Sequence, residues 1–327
     1  MTALTHDARR PALGTGLAFA LLSAASFGMS GSLAKGLMES GWTAGAAVLV
    51  RVAIAAAVLA VPGALALRGR WHLLRSGAGT IIGYGLFAVA GAQLCYFLAV
   101  ASLDVGVALL IEYLAPVMVV LWLWVRRGSR PSRLTVVGAA IAALGLVLLL
   151  DVLGGAHVSV VGIGWALAAM VGATVYFILS GNESNPLPPI SLAAAALVVA
   201  TVALGAAAVL GVLPVAFSTR PVHFVSFDAP WWAVLVVLGV VTAALAYVVG
   251  IAAVRRLGPR LGSFVALAEV ISAATFAWIL LGQAPRPVQL VGAALVLAGV
   301  IVVKVGEPRN VSASAAILDA PPAPVPV

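Results

Sequence analysis

The stretch ASLDVGVALLIEYLAPVMVVLWLWVRRGSRPSRLTVVGAAIAALG, Ala101–Gly145, lies 154 positions before RRLGPRLGSFVALAEVISAATFAWILLGQAPRPVQLVGAALVLAG, Arg255–Gly299, and the two align without a gap. Trp124 falls on Trp278, Pro131 on Pro285, Gly128 on Gly282 and Gly145 on Gly299. Glycine and alanine matches such as Gly138 with Gly292 weigh little in so biased a composition, whereas tryptophan and proline in register weigh more. A weaker echo links Gly14 and Gly16 to Gly162 and Gly164. One unit is therefore read twice along the chain.

The composition says what the unit is made of. Hydrophobic residues reach 63% of the 327 and charged residues only 9%, where soluble domains carry roughly a quarter. Mean hydropathy is +1.18. No water-soluble fold could hide that much apolar surface, and the apolar runs recur along the whole length, leaving no room for a separate soluble domain. A span of about 30 Å of hydrocarbon needs roughly 20 helical residues. Ten runs approach that length: Leu13–Leu33, Ala44–Leu67, Thr80–Val100, Val105–Val125, Leu134–Leu150, Val158–Leu179, Ile190–Leu213, Trp231–Ala253, Leu261–Leu281 and Val288–Val303. They are about twice the length of a barrel strand and lack its alternation, so helices are required. The fifth and tenth runs are short and rich in Gly and Ala, which suits close packing inside a bundle.

The expected fold is thus an all-α polytopic membrane protein with ten transmembrane helices in two five-helix repeats, residues 13–150 and 158–303, followed by a disordered cytoplasmic tail at residues 307–327 that ends DAPPAPVPV. Five is odd, so the second repeat must enter the membrane from the opposite side, giving inverted repeats. The basic residues agree. With the N-terminus inside, 14 of the 18 lie in cytoplasmic segments, and only Lys35, Arg220 and Arg286 lie outside. By the positive-inside rule both termini are cytoplasmic. The first run follows His6, Arg9 and Arg10, is too long for a cleaved signal, and is expected to be retained.

The net charge of +8 falls in short bursts between apolar runs, a pattern for anionic lipid headgroups, not nucleic acid. Cys95 is the only cysteine, so it forms no internal disulfide.

Of ten acidic residues only Glu112 and Glu269 fall well inside helices. A charge at the bilayer centre costs roughly 2.5–3.5 kcal/mol on insertion scales, so such residues face a cavity or a partner. In repeat register the two lie three residues apart, just under one helical turn. They are candidates for binding a substrate ammonium or a coupling proton; the plainer alternative is a structural hydrogen bond. Arg51, the one intramembrane base, could meet a substrate carboxylate or pair with a Glu, with snorkelling to the interface as the default. Lys35 ends the first predicted helix, where gating and anchoring are equally open. Gln93, Tyr96, Tyr176 and Tyr247 place hydrogen-bonding groups in apolar helices and are candidates for lining a pathway; Gln93 and Tyr247 are themselves 154 apart. Tyr84, Trp42, Trp71, Trp231 and Trp232 are expected as interfacial anchors. Pro62 and the IGYG stretch offer bending points.

The segments SGSLAKGL (Ser30–Leu37), VGVALLIEYLAPV (Val105–Val117), VYFILSG (Val175–Gly181) and the last two helices resemble the EamA branch of the drug/metabolite transporter superfamily. Glu112 followed by Pro116 is similar to the fourth helix of its threonine and homoserine exporters. The resemblance implies a secondary transporter of a bacterial inner membrane that exports amino acids or related small metabolites by alternating access. Two departures stand out: the family's Glu-Pro in the ninth helix is Glu269-Val270 here, and the Glu after Leu-Gly is Gln283. No Walker motif is present, and no cofactor or metal is expected. Asp104, Asp151, His157, His223 and Asp228 are too scattered for an enzyme acting on lipid-linked substrates. The expected partners are a small-molecule substrate and the lipid bilayer; a homodimer is left open.

Overall fold

The structure, a computed structural model, describes residues 9–115, 117, 118, 122, 132–149, 159–180 and 186–306. The tail at residues 307–327 and most of the arginine-bearing loop after Trp124 lie outside the described residues, as does Pro116.

Helix α1 (Arg9–Glu39) leads into α2 (Ala44–Leu65), which starts where the Thr43 side chain accepts from the Ala46 amide. A short α3 (His72–Ser76) precedes α4, a continuous rod made of Ala78–Gly83, a π-helical stretch Tyr84–Gly91, and Ala92–Val100. After α4 come α5 (Val105–Glu112) and α6 (Arg133–Leu149). The second half opens with α7 (Val160–Ser180) and α8 (Pro189–Val209), whose proline sits at the first helical position, where no amide is needed. A small hairpin, β1 (Val222–His223) against β2 (Asp228–Ala229), crosses outside the helices. Then α9 repeats the design of α4: Trp231–Val236, a π-helical stretch Val237–Leu245, and Ala246–Val265. Last are α10 (Ala268–Leu281), closed by Gly282 in the left-handed region (φ 68°), and α11 (Pro287–Gly306).

Six helices among the described residues are long and apolar enough to cross a membrane: Gly14–Glu39, Ala44–Leu65, Ala78–Val100, Val160–Ser180, Pro189–Val209 and Trp231–Leu257. Three more are apolar but shorter, Arg133–Gly145, Ala268–Leu281 and Pro287–Val303. The ten runs read from sequence differ from this in three places. First, α1 continues to Glu39, so Lys35 lies within it instead of ending it. Second, the run Val105–Val125 is broken: α5 stops at Glu112 and Tyr113–Leu114 form a turn. Third, the gap expected between Ala253 and Leu261 is helical, and the break comes later, at Ala266–Leu267. Two of the charges in that gap are engaged without a loop: Arg255 donates to the Leu187 carbonyl at 2.5 Å and Arg256 lies 4.9 Å over the Phe19 ring.

Packing is almost wholly between halves. Helix α1 packs on α9 and α10, α2 on α8, α4 on α7, α5 on α7 and α10, and α6 on α11. Exchanging the two halves maps this pattern onto itself, which is the signature of a two-fold relation between them. The core therefore lies between the repeats.

Candidate functional site

At the centre of that inter-half core lies a cavity of about 80 Å³, room for a handful of water-sized groups. The first half contributes Ser23 and Phe27 from α1, Gln93 from α4, Glu112 from α5, and Tyr113. The second contributes Tyr176 and Phe177 from α7, Tyr247 and Gly250 from α9, and Glu269 from α10. Gly250 is required here, since a Cβ would stand 2.7 Å from both the Ser23 hydroxyl and the Tyr176 hydroxyl.

Each carboxylate sits at a helix break. Glu112 is the last residue of α5 and Glu269 lies in the first turn of α10. The turns beside them, Tyr113–Leu114 and Ala266–Leu267, overlap in the 154-residue register. Their helix ends differ in sign. The amide-rich start of α10 supports a negative group at Glu269, while the carbonyl-rich end of α5 adds to the negative potential at Glu112. Glu269 also accepts a 2.6 Å hydrogen bond from the Tyr113 hydroxyl. Glu112 has no hydrogen-bond partner among the described residues, and neither carboxylate forms an ion pair there. Arg51 acts on both electrostatically.

Arg51 itself is fully buried, 0% exposed, so it does not snorkel. Its guanidinium donates to Gln93 Oε1 and to the Thr242 carbonyl, and lies 5.3 Å over the Phe97 ring. It does not border the cavity. The interface was expected from its position near the start of α2, but partners on α4 and α9 hold it inward.

The other sequence candidates divide. Gln93, Tyr176 and Tyr247 reach the cavity together with both glutamates. Tyr96 is buried outside it, packed against Gly31 at a distance that leaves no room for a Cβ. Lys35 also lies elsewhere. Its Nζ donates to the Leu103 carbonyl at 3.0 Å, and it borders a larger cleft of about 730 Å³ with Glu39, Trp42, Leu94 and Leu98. Tyr84 is not an interfacial anchor: it is 0% exposed and hydrogen-bonds the Ser180 hydroxyl at 3.0 Å. Trp42 is buried too, its indole donating to the Ser218 carbonyl at 2.7 Å, whereas Trp71 and Trp232 are exposed as expected. Tyr113 is the residue that sequence reasoning missed. Its signal was position alone, directly after Glu112 inside VGVALLIEYLAPV.

A helical, multi-pass membrane protein whose two halves share one central polar cavity is the class defined so far. The chain matches the EamA-like transporter family twice, over residues 14–151 and 160–305, and belongs to that family. Its members are membrane transporters, not enzymes. The fold has counterparts among solved structures, where 14 chains match. One, described only as a crystal structure of a protein, aligns at a TM-score of 0.58 and 23% identity, covering 93% of this chain and 99% of that one. The comparison with curated proteins returns no match.

Proposed function

We propose that the chain exports small zwitterionic metabolites, amino acids of the threonine or homoserine kind, across a bacterial inner membrane by alternating access coupled to protons. The observation that carries this reading is the pair of glutamates, one from each half, each at a helix break and both facing one cavity. Broken helices beside a central cavity are how secondary transporters present backbone and charge to a substrate.

Glu112 takes the substrate ammonium, because the α5 end favours a cation there. Glu269, held by Tyr113, carries the coupling proton. The substrate carboxylate meets neutral donors, the Gln93 amide and the Tyr176 and Tyr247 hydroxyls. Arg51 supplies field instead of contact. The cavity size suits a solute of few heavy atoms and falls well below pockets that hold drug-sized ligands. Phe27, Tyr176 and Phe177 give it aromatic walls, the feature that favours the second reading, transport of an aromatic metabolite or drug.

The proposed frame has five-helix units at residues 13–150 and 158–303 in opposite orientations, with both termini cytoplasmic, a reading that the arginine distribution supports. Its partners are the bilayer and the small substrate. The test is efflux from proteoliposomes loaded with labelled amino acids, with and without a pH gradient. Gradient-stimulated release of one amino acid class supports the reading. Equal flux of all solutes, or none of any amino acid, defeats it.

A further inference from the structure

The two π-helical stretches, Tyr84–Gly91 in α4 and Val237–Leu245 in α9, occupy corresponding places in the two halves. A π turn is a wide, rare turn that interrupts the regular i to i+4 ladder and concentrates at functional sites. Within them, Ala88 and Thr242 are 154 positions apart. Both carbonyls accept from a side chain of the opposite half. The Tyr247 hydroxyl donates to the Ala88 carbonyl at 3.3 Å, and Arg51 donates to the Thr242 carbonyl. Gln93 stands beside these donors: its Oε1 accepts from Arg51, and it borders the central cavity together with Tyr247. Two reciprocal bonds, Arg51 to Thr242 and Tyr247 to Ala88, thus cross between the halves. They tie each π bend to the opposite half, and every residue in the set is largely or wholly enclosed. The helices meet closely alongside, where a Cβ on Gly239 would stand 2.4 Å from the Ile54 side chain and 3.2 Å from the Arg51 carbonyl.

We propose that these two bonds form a latch between the halves, with Arg51 and Tyr247 as positioning residues that hold the two π bends in register. Tyr247 and the Arg51 acceptor Gln93 border the central cavity, while the latch ends on backbone carbonyls of the bends. A solute that bonds the Tyr247 hydroxyl therefore competes with the Ala88 carbonyl for it, and local opening at either bend is limited by a bond to the other half.

The latch is tested by amide hydrogen exchange on the full-length chain in nanodiscs, a readout that needs no substrate and stands apart from the transport reading. Tyr247→Phe keeps the ring, which packs edge-on to Phe27 at 5.0 Å, and removes only the hydroxyl. It should speed exchange in peptides covering residues 84–91 by roughly 3- to 10-fold, the effect of one lost hydrogen bond in a membrane interior. Arg51→Lys should do the same for residues 237–245, and Gln93→Leu, which removes an acceptor of Arg51, should affect residues 237–245 as well. Peptides in α6 and α11 should not change. Unchanged exchange at both bends overturns the latch, and so does uniform acceleration along the chain, which a general loss of stability would produce. Bends that respond in a protein that moves no amino acid would sink the transport reading and leave the latch standing.

Discussion

The seam between α6 and α11 and the central cavity are both contacts between the halves, and they are built on opposite principles. In the seam, backbone meets backbone. A Cβ on Gly138 would stand 2.6 Å from the Val303 amide nitrogen, and one on Gly145 would stand 2.6 Å from the Val296 amide nitrogen. Gly299 returns the contact, with the Gly138 carbonyl 2.6 Å from its own missing Cβ. Without a hydrophobic force between helices in lipid, such close approach through small residues is what holds them. The cavity has the reverse character: buried charge, unsatisfied capacity and room. A seam in which glycines bring the two backbones together is suited to be a pivot. A cavity that holds two carboxylates is suited to respond to what enters it.

Filling the seam should have the largest effect. Gly299→Leu forces the α6 and α11 backbones apart, an overpacking cost of about 3 kcal/mol or more. Fluorescence-detected size exclusion should show loss of the folded peak. Gly164→Ala is the control, because nothing lies within 4 Å of its added methyl; equal damage from both would end the contrast.

Next come the glutamates, where transport and stability should part. Glu112→Gln and Glu269→Gln each remove a costly intramembrane charge, so melting temperature should hold or rise while amino-acid efflux falls about 10- to 100-fold, the loss of one hydrogen bond to a charged group. Glu112→Gln should also abolish binding of the zwitterion, and Glu269→Gln should leave exchange while removing its dependence on a pH gradient. Efflux at several external pH values, beside thermal unfolding of the same samples, checks this. A variant that melts early and transports normally would reverse the roles of seam and cavity.

Tyr113→Phe is a smaller perturbation of the same site. It removes the 2.6 Å bond to Glu269 and nothing else, worth about 0.6 kcal/mol by the average of intramembrane pairs. Efflux should fall a few-fold, with most of the change in its pH dependence.

How much of this was legible depended on which contacts leave a mark in one chain. The bundle and its halves were, because lipid demands long apolar helices and a repeat keeps its tryptophans and prolines in register. The two glutamates were, because a charge in a 20-residue apolar run has no other ready explanation. Gly138 and Gly292 were discounted in a chain holding 34 glycines, yet the seam pairs Gly138 with Gly299 and Gly145 with Gly292. Composition conceals a glycine whose partner lies 161 or 147 positions away. The breaks beside Glu112 and Glu269 differ from each other. The break beside Glu112 did carry a mark, a proline four residues on at position 116, which has no amide to bond the Glu112 carbonyl; the break at Ala266–Leu267 falls on residues without a helix-breaking preference, so tertiary context sets it. Arg51 was misplaced because its depth along α2 said interface, whereas Gln93 and Thr242, distant in sequence, draw it inward.

Lys35 sharpens the comparison at its weakest point, since it belongs to neither region. Its ammonium is tied to the Leu103 carbonyl just before α5, and the cleft it borders is separate from the cavity that holds the glutamates. A gating role would require its charge to act on the substrate's path; a tether would need only the bond to Leu103. Lys35→Met keeps the stem and removes the charge. If the central cavity alone carries the substrate, efflux should stay within about two-fold of wild type and melting should shift by the small amount that one partly buried hydrogen bond supplies, about 0.5–1.5 kcal/mol. A loss of efflux as large as that of Glu269→Gln, at unchanged melting temperature, would move the pathway toward the cleft beside Trp42 and make the cavity a branch of it.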